Sequence, residues 1–162
     1  MYDELWPGGP KFQQSGQAFQ LGTDSVLLAH FTNTARVRRI LDLGCGGGVL
    51  TVLLTYKAPQ AQCIGIEIQP ESAVVCRANM AANGHDPEGI LLGDLREYRA
   101  LFPAGSFDLV VSNPPYFTRE SGYSAPEDAR AIARDERNCT LSDLCAAAKY
   151  VLKWGGKFTV VH

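Results

Sequence analysis

The sequence predicts an α/β fold in which parallel strands and helices alternate around a doubly wound sheet. From residue 39 onward, short apolar runs alternate with amphipathic segments, which is typical of β-α-β units. A glycine-rich turn joins the first of these runs to a helical segment. The run 107–112 is apolar through its centre, as expected of a buried parallel strand. In such a fold the ligand-binding loops gather at the carboxyl ends of the strands.

The first 38 residues are predicted to form a lead-in followed by one helix. Residues 1–22 are rich in Gly, Pro and Gln, which indicates irregular structure. Thr23 and Asp24 precede an apolar run, so the helix is predicted to start there, with Thr23 or Asp24 as its cap.

The remaining elements follow in a regular order. The predicted strands are residues 39–43, 63–68, 89–92 and 107–112, and the predicted helices between them are residues 49–57, 71–83 and 95–101. Residues 117–139 are predicted to form a long irregular stretch. The Thr140 to Asp143 segment then predicts a helix that runs to about residue 154 and ends at Gly155 and Gly156, before a fifth strand at residues 157–161.

Length and composition predict a single domain spanning residues 1–162. The chain is 46% hydrophobic and 20% charged, the balance of an ordinary globular protein. A net charge of -2 weighs against strong, non-specific binding of nucleic acid. Two arginine clusters soften that objection; they comprise Arg36, Arg38 and Arg39, and Arg119, Arg130, Arg134 and Arg137.

The five cysteines show no metal-ligand spacing, so we expect no zinc site and interpret them as small core residues. The N-terminus lacks the features of a signal peptide, and the chain has no apolar run long enough to span a membrane. These observations predict a reduced, cytoplasmic setting.

The first motif is the glycine turn, with Asp42 before it and Gly44, Gly46 and Gly48 within it. Such a turn lets the backbone approach a ligand, and the helix that follows offers amide donors. Val49 stands where a dinucleotide-binding fingerprint requires a third glycine, so the spacing favours a nucleoside without pyrophosphate over a nicotinamide cofactor. A purely structural turn is the alternative.

Two acidic residues extend this pattern. Glu67 comes near the end of the second strand, where a carboxylate can accept both ribose hydroxyls of an adenosine cofactor. By itself, Glu67 could also be a solvated charge at a strand end. Asp94, followed by Leu95, comes directly after the third strand, where it can bind the adenine amine, cap the next helix, or do both.

The most specific motif is Asn113-Pro114-Pro115-Tyr116 at the end of the fourth strand. The two prolines fix the backbone and remove two amide donors. The side-chain oxygen of Asn113 and the carbonyl of Pro114 can then accept the two hydrogens of an amino group, while Tyr116 offers a face for stacking. A Pro-Pro turn that merely ends a strand is the alternative.

This acceptor array suits methylation of a conjugated amine. The lone pair of such a nitrogen is delocalised, and hydrogen bonds to both amino protons favour the geometry and positive charge that develop during attack. We therefore predict a catalytic role for Asn113, Pro114 and Tyr116.

Together, these motifs resemble the class I methyltransferases that carry an N-P-P-Y loop, whose fold is a Rossmann-like, mostly parallel sheet. Three segments further resemble the bacterial valine-tRNA adenine N6-methyltransferase family; they are Phe12-Gln13-Gln14, residues 19–28, and Ala133-Arg134-Asp135-Glu136. The family has His where Asp135 stands.

The resemblance implies S-adenosylmethionine as cofactor and the tRNA anticodon loop as substrate, with methylation at adenine-37 of valine tRNA. Asp42, the glycines, Glu67, Asp94, Leu95 and Asn113 would bind the cofactor, and Thr23 and Asp24 would close over its methionine end. The flipped base would contact Pro115, Tyr116 and Phe117.

Members of this class have two further strands, so the chain is predicted to be truncated after the fifth strand of its sheet. Three other functions stay open. The N-P-P-Y loop also occurs in glutamine N5-methyltransferases, which ordinarily carry an additional helical domain, and guanine N2 methylation of ribosomal RNA is similar chemistry. A non-catalytic module that binds S-adenosylmethionine is the third alternative.

Overall fold

The computed structural model describes residues 2–13, 22–114 and 139–161. The strands are β1 (Tyr2–Glu4), β2 (Lys11–Gln13), β3 (Arg39–Leu43), β4 (Gln62–Glu67), β5 (Ile90–Leu92), β6 (Phe107–Ser112) and β7 (Leu152–Val160). The main sheet has five parallel strands in the order β5-β4-β3-β6-β7. The helices are α1 (Thr23–Phe31), α2 (Val49–Lys57), α3 (Pro70–Ala82), α4 (Tyr98–Leu101) and α5 (Leu141–Val151), with 3-10 turns at Pro87–Gly89 and Leu95–Glu97.

Apolar side chains cover both faces of the sheet, which confirms the doubly wound prediction. On β3, Ile40 faces one cluster with α1, α2 and α3, whereas Leu41 faces a second cluster with α5. On β6, Val111 and Val110 divide between the same two clusters. Burial on both faces is why β6 is apolar through its centre. Among the described residues, none of the helices is both long and apolar enough to cross a membrane.

The prediction of an irregular lead-in is wrong for residues 2–13, where β1 and β2 pair as an antiparallel hairpin. The hairpin docks on α3 through two asparagines. Asn83 accepts from the Lys11 amide at 2.8 Å and donates to the Lys11 carbonyl at 2.7 Å, and Asn79 accepts from the Gln13 amide at 2.7 Å. Side chains distant in sequence thus supply the partners of β2, so local composition gave no signal for this strand.

The start of α1 also differs from the prediction. Gly22 occupies the capping position and makes no side-chain cap hydrogen bond, so neither Thr23 nor Asp24 is the cap. The other end of this helix is held from α2. The Lys57 ammonium group donates to the carbonyls of Ala29, His30 and Thr32 at 3.0, 2.6 and 2.7 Å.

The boundary between α5 and β7 corrects another prediction. The helix ends at Val151, and Gly155 and Gly156 lie inside the strand. Amides of the loop before β6 bond to the carbonyls of Tyr150 and Val151, at 3.0 and 2.7 Å, which ties the helix end to the sheet. Phe107 pairs with Leu152 and Leu109 pairs with Lys157, so the extra residues of β7, among them Gly155, form an irregularity in the register. Gly155 has a φ of 77° there.

The remaining boundaries agree closely with the predictions. The second strand and the helix after it each lie one residue earlier than predicted, at Gln62–Glu67 and Pro70–Ala82. The predicted helix at residues 95–101 consists of a 3-10 turn followed by the four-residue α4. β7 lies at one edge of the sheet that the described residues form, and β5 lies at the other.

Candidate functional site

A cavity of about 410 Å³ opens at the carboxyl ends of β3, β4 and β6, within the size range of small-molecule sites. Seven predicted site residues line this cavity: Gly44, Gly46, Glu67, Asp94, Leu95, Asn113 and Pro114. The topology explains their meeting, because each one lies at or just after the end of a parallel strand.

The glycine turn presents two of its glycines to the cavity. Gly44 and Gly46 have positive φ angles of 76° and 53°, and a Cβ built on either residue meets no atom within 4 Å. A side chain at either position would therefore project into open space beside the cavity. Gly48 has a different role, because its Cβ would lie 2.6 Å from the Cys76 sulfur on α3. That glycine permits close packing of α2 on α3.

Several amides of this turn are engaged inside the protein. The amides of Gly44 and Cys45 donate to the Ile66 carbonyl at 2.9 and 3.0 Å, and the Gly48 amide donates to the Cys45 carbonyl at 2.9 Å. The Gly46 amide donates to Glu67 at 2.8 Å. These four amides are therefore already engaged within the protein, and what the turn provides to a ligand is the open space beside Gly44 and Gly46.

Glu67 is a buried anchor at the end of β4, with 6% of its surface exposed. One carboxylate oxygen accepts from the Gly46 amide and the other accepts from the Gln69 amide, both at 2.8 Å. The alternative of a solvated strand-end charge is therefore wrong. Each oxygen retains a second lone pair, so the carboxylate can also accept hydroxyl groups from a ligand in the cavity.

Asp42 lies beneath the turn and is 1% exposed. One of its carboxylate oxygens accepts from the Thr51 hydroxyl at 2.6 Å, and the other has no hydrogen-bond partner among the described residues. Burial raises the pKa of Asp42 to about 7, and the nearby Glu67 adds to that effect. The side chain supports the turn from below and is not part of the described cavity lining.

Asp94 caps the 3-10 turn that follows β5, which confirms the capping interpretation. Its carboxylate accepts from the Arg96 amide at 2.9 Å and forms an ion pair with the Arg96 guanidinium. These hydrogen bonds to Arg96 lower the pKa of Asp94. Binding of an adenine amine by Asp94 stays a prediction.

Asn113 and Pro114 stand at the end of β6, beside the turn that follows β3. The Ser112 hydroxyl donates to the Leu43 carbonyl at 2.7 Å and joins the ends of these two strands. The Asn113 side-chain amide donates to the Ser25 hydroxyl at 2.8 Å. Two strand ends and the first turn of α1 therefore meet at this position.

The other predicted site residues do not line the described part of the cavity. Thr23 and Asp24 lie in the first turn of α1, just before Ser25. Pro115, Tyr116 and Phe117 fall outside the described residues, as do the second arginine cluster and, of the segments that carry the family resemblance, residues 14, 19–21 and 133–136. In the first arginine cluster, the amides of Arg38 and Arg39 bond to Asp108 at the opposite end of the sheet.

Ten residues that line the cavity were not among the predicted site residues, and they include Ile68, Gln69, Ser72, Cys139 and Leu144. The first three follow β4 at the same edge as Glu67, so their position after a parallel strand was a usable signal. Leu144 lies in α5, and Cys139 lies two residues before that helix. Nothing in the sequence around either residue indicates that it lines a cavity. Cys45, Cys63 and Cys76 are buried, as the core interpretation predicts, whereas Cys145 is exposed.

Comparisons with known proteins agree with this geometry. The model of the methyltransferase small domain family matches residues 15–162. A tRNA1(Val) (adenine(37)-N6)-methyltransferase of Porphyromonas gingivalis is 35% identical over 155 residues, which cover 91% of this chain and 60% of the relative. The Aeromonas salmonicida protein of the same name is 33% identical, with 89% of this chain and 59% of the relative covered. The chain thus spans about 60% of the length of these curated relatives.

Solved structures support the fold. A predicted O-methyltransferase from Agrobacterium tumefaciens superposes with a TM-score of 0.61 at 22% identity, covering 84% of this chain and 59% of that one. A geranyl diphosphate methyltransferase in complex with sinefungin gives a TM-score of 0.61 at 14% identity, covering 85% of this chain and 43% of that one. The sheet described above is therefore of the Rossmann-like methyltransferase type.

Proposed function

Because the chain belongs to the methyltransferase small domain family, we propose that it transfers a methyl group from S-adenosylmethionine to the exocyclic N6 of adenine in tRNA. The observation that carries this proposal is the position of Asn113 and Pro114 on the same cavity as Gly44, Gly46 and Glu67. The predicted acceptors for an amino group and the residues predicted to bind a nucleoside therefore line the same cavity.

The residues present fit the cofactor. Gly44 and Gly46 leave open the volume that a Cβ would fill, and the fixed Glu67 carboxylate can accept ribose hydroxyls there. Ile68 is 38% exposed, lines the cavity directly after Glu67 and offers an apolar surface to the adenine ring. Asp94 and Leu95 complete the adenine end.

When bound, S-adenosylmethionine supplies an electrophilic methyl group on its sulfonium. The Asn113 side-chain oxygen and the Pro114 carbonyl accept the two amino hydrogens of the adenine and orient the nitrogen toward that methyl group. The cofactor would give up its methyl group and keep the carbon–sulfur electron pair on sulfur, while the amino nitrogen held by Asn113 and Pro114 would gain the methyl group and lose one proton to water. Both acceptors stabilise the positive charge that develops on nitrogen.

The finer assignment is adenine-37 in the anticodon loop of valine tRNA, with residues 1–162 forming one domain of a cytoplasmic protein. It rests on the names of the curated relatives and on the sequence segments that resemble their family. In this proposal, Tyr116 stacks on the flipped base, while Pro115 and Phe117 contact its edges. Thr23 and Asp24 close over the methionine end of the cofactor.

These relatives favour tRNA adenine over the glutamine and guanine alternatives, since their names specify an adenine nitrogen. A non-catalytic module would bind S-adenosylmethionine without turnover. The acceptor pair of Asn113 and Pro114 could bind the amino group of adenine, glutamine or guanine, so only a substrate assay separates these three functions.

The test is incubation of the protein with labelled S-adenosylmethionine and unmodified valine tRNA transcripts, followed by nucleoside mass spectrometry. We expect N6-methyladenosine with the wild-type transcript, none with a transcript carrying guanine at position 37, and about 100-fold less with Asn113→Ala. The exposed-surface variant Ser142→Ala is the matched control and should retain full activity. Label in protein instead of RNA, or full activity of Asn113→Ala, would contradict the proposal.

A further inference from the structure

The orientation of the Asn113 side chain decides whether it presents an acceptor or a donor to the substrate. The backbone at this position is well defined, because the buried Ser112 hydroxyl anchors the end of β6 to Leu43 and Pro114 restricts Asn113 to extended conformations. The terminal torsion of an asparagine is nevertheless broad and roughly two-fold. The backbone alone therefore leaves open which side of the carboxamide faces the cavity.

Ser25 provides a hydrogen-bond partner for one side of this carboxamide. The Asn113 side-chain Nδ2 donates to the Ser25 Oγ at 2.8 Å, a contact between residues 88 positions apart in sequence. With Nδ2 directed to Ser25, Oδ1 occupies the other side of the carboxamide. The reverse orientation would turn the NH₂ group toward a substrate amine, placing donor against donor.

The helix that carries Ser25 is itself held in place. Leu28 and Ala29, on the next turn of α1, are buried in the core, and Lys57 binds three carbonyls at the end of the helix. Ser25 is half-buried in the first turn, beside Thr23 and Asp24. The hydroxyl therefore sits on a fixed support rather than on a loop.

We infer that Ser25 is a positioning residue that holds the Asn113 carboxamide with Oδ1 toward the amino group of the substrate. This inference rests on the proposed methyl transfer and deepens it. Ser25 acts through Asn113 and needs no contact with substrate or cofactor, so its loss affects the chemical step more than binding.

The kinetic test compares Ser25→Ala, Ser25→Thr and the control Ser142→Ala, which makes the same substitution in the first turn of α5. We expect kcat to fall about tenfold in Ser25→Ala with the KM values for both substrates within twofold of wild type. Ser25→Thr keeps the hydroxyl and should restore most of kcat. A kcat of Ser25→Ala within twofold of wild type, or no rescue by threonine, overturns the inference.

A second measurement needs no activity. In protein labelled with ¹⁵N-asparagine, the side-chain NH₂ signals of Asn113 are identified by their loss in Asn113→Asp. We expect these signals to shift in Ser25→Ala, return toward the wild-type position in Ser25→Thr, and stay unchanged in Ser142→Ala.

The two measurements separate the inference from the proposed function. Shifted signals in a protein that methylates no tRNA would refute the proposed function while the Ser25–Asn113 contact stands. Unshifted signals together with normal methyl transfer by Ser25→Ala would refute the role of Ser25 and leave the proposed function in place.

Discussion

Two turns stand side by side at the carboxyl edge of the sheet, one after β3 and one after β6. The turn after β3 depends on its own glycines for its backbone angles, since Gly44, Gly46 and Gly48 adopt positive φ angles that only glycine takes readily. The turn after β6 is shaped by partners elsewhere in the chain, namely Leu43 for the strand end and Ser25 for the Asn113 side chain. Both segments are visible as motifs in the sequence, but the distant contacts that hold Asn113 are not.

The largest effect we expect concerns the charge beneath the β3 turn. Because burial raises the pKa of Asp42 to about 7 from 3.8, the folded state binds more protons than the unfolded state between those values. Stability should therefore decrease as pH rises from about 4 to about 7, by up to about 4 kcal/mol at 1.36 kcal/mol per pKa unit. Urea denaturation across that pH range measures this slope.

The control for this effect is Asp42→Asn, which keeps an acceptor for Thr51 and removes the ionisation. The variant should lose the Asp42 part of the pH dependence. An unchanged slope would show that the carboxyl group titrates normally in the folded protein.

The next effect breaks the local turn itself. In Gly48→Ala, the new Cβ lies 2.6 Å from the Cys76 sulfur at a φ of 87°, so strain and overpacking together should cost about 3 kcal/mol. Gly44→Ala is the matched variant, with positive φ but open space around its Cβ, and should cost about 1 kcal/mol while weakening cofactor binding. Chemical denaturation and calorimetry measure the two quantities, and equal stability losses would contradict this division of roles.

A third variant tests how local the β3 turn is. Asn79 is fully buried and donates to the Gly47 carbonyl at 2.8 Å while accepting from the Gln13 amide. Asn79→Ala leaves both groups without this partner and should cost about 2 kcal/mol. Asn83→Ala leaves the hydrogen bond from Asn79 to the Gly47 carbonyl in place. It should lower the free energy of unfolding by about 1 kcal/mol and leave cofactor affinity unchanged. Weakened cofactor binding in Asn83→Ala would mean that the hairpin, and not Asn79, supports the turn.

The smallest effect concerns the support of the β6 turn. Lys57→Met removes the ammonium group from the end of α1 and should cost about 1 kcal/mol. We expect kcat to fall because α1 carries Ser25, and cofactor affinity to fall less, because only Thr23 and Asp24 of the proposed cofactor site lie on α1. Lys149→Met, in the last turn of α5, is the control and should leave both unchanged. Weaker cofactor binding by Lys57→Met with an unchanged kcat would show that α1 supports the cofactor site and not Asn113.

The contrast between the two turns also explains which predictions succeeded. The bounds of β3, α2 and β6 follow from local patterns of apolar residues and were predicted correctly. Asp94 was recognised as a possible cap because its partner is two residues away. The hairpin and the end of α5 were predicted wrongly, since their partners are distant: α3 for β2, and the loop before β6 for α5.

The candidate site divides in the same way. Gly44, Gly46 and Glu67 were identifiable from spacing alone and line the cavity together. Leu144 carries no sequence signal, and nothing in the sequence pairs Ser25 with Asn113, because the tertiary fold brings Leu144 and Ser25 to the site from different helices. Sequence patterns thus identify the site residues that follow the strand ends. The side chains that complete the site come from other helices, and tertiary packing determines which they are.

The docked hairpin gives the protein a built-in optical reporter. The chain has two tryptophans; Trp154 is fully exposed on β7, at 105% of its reference surface, whereas Trp6 follows β1 and packs edge-on against Tyr56, with ring centroids 5.8 Å apart. An indole that water already surrounds changes its emission little when a protein unfolds. Intrinsic fluorescence should therefore follow Trp6, and a change in emission would signal detachment of the hairpin from α2 even while the central sheet stays intact.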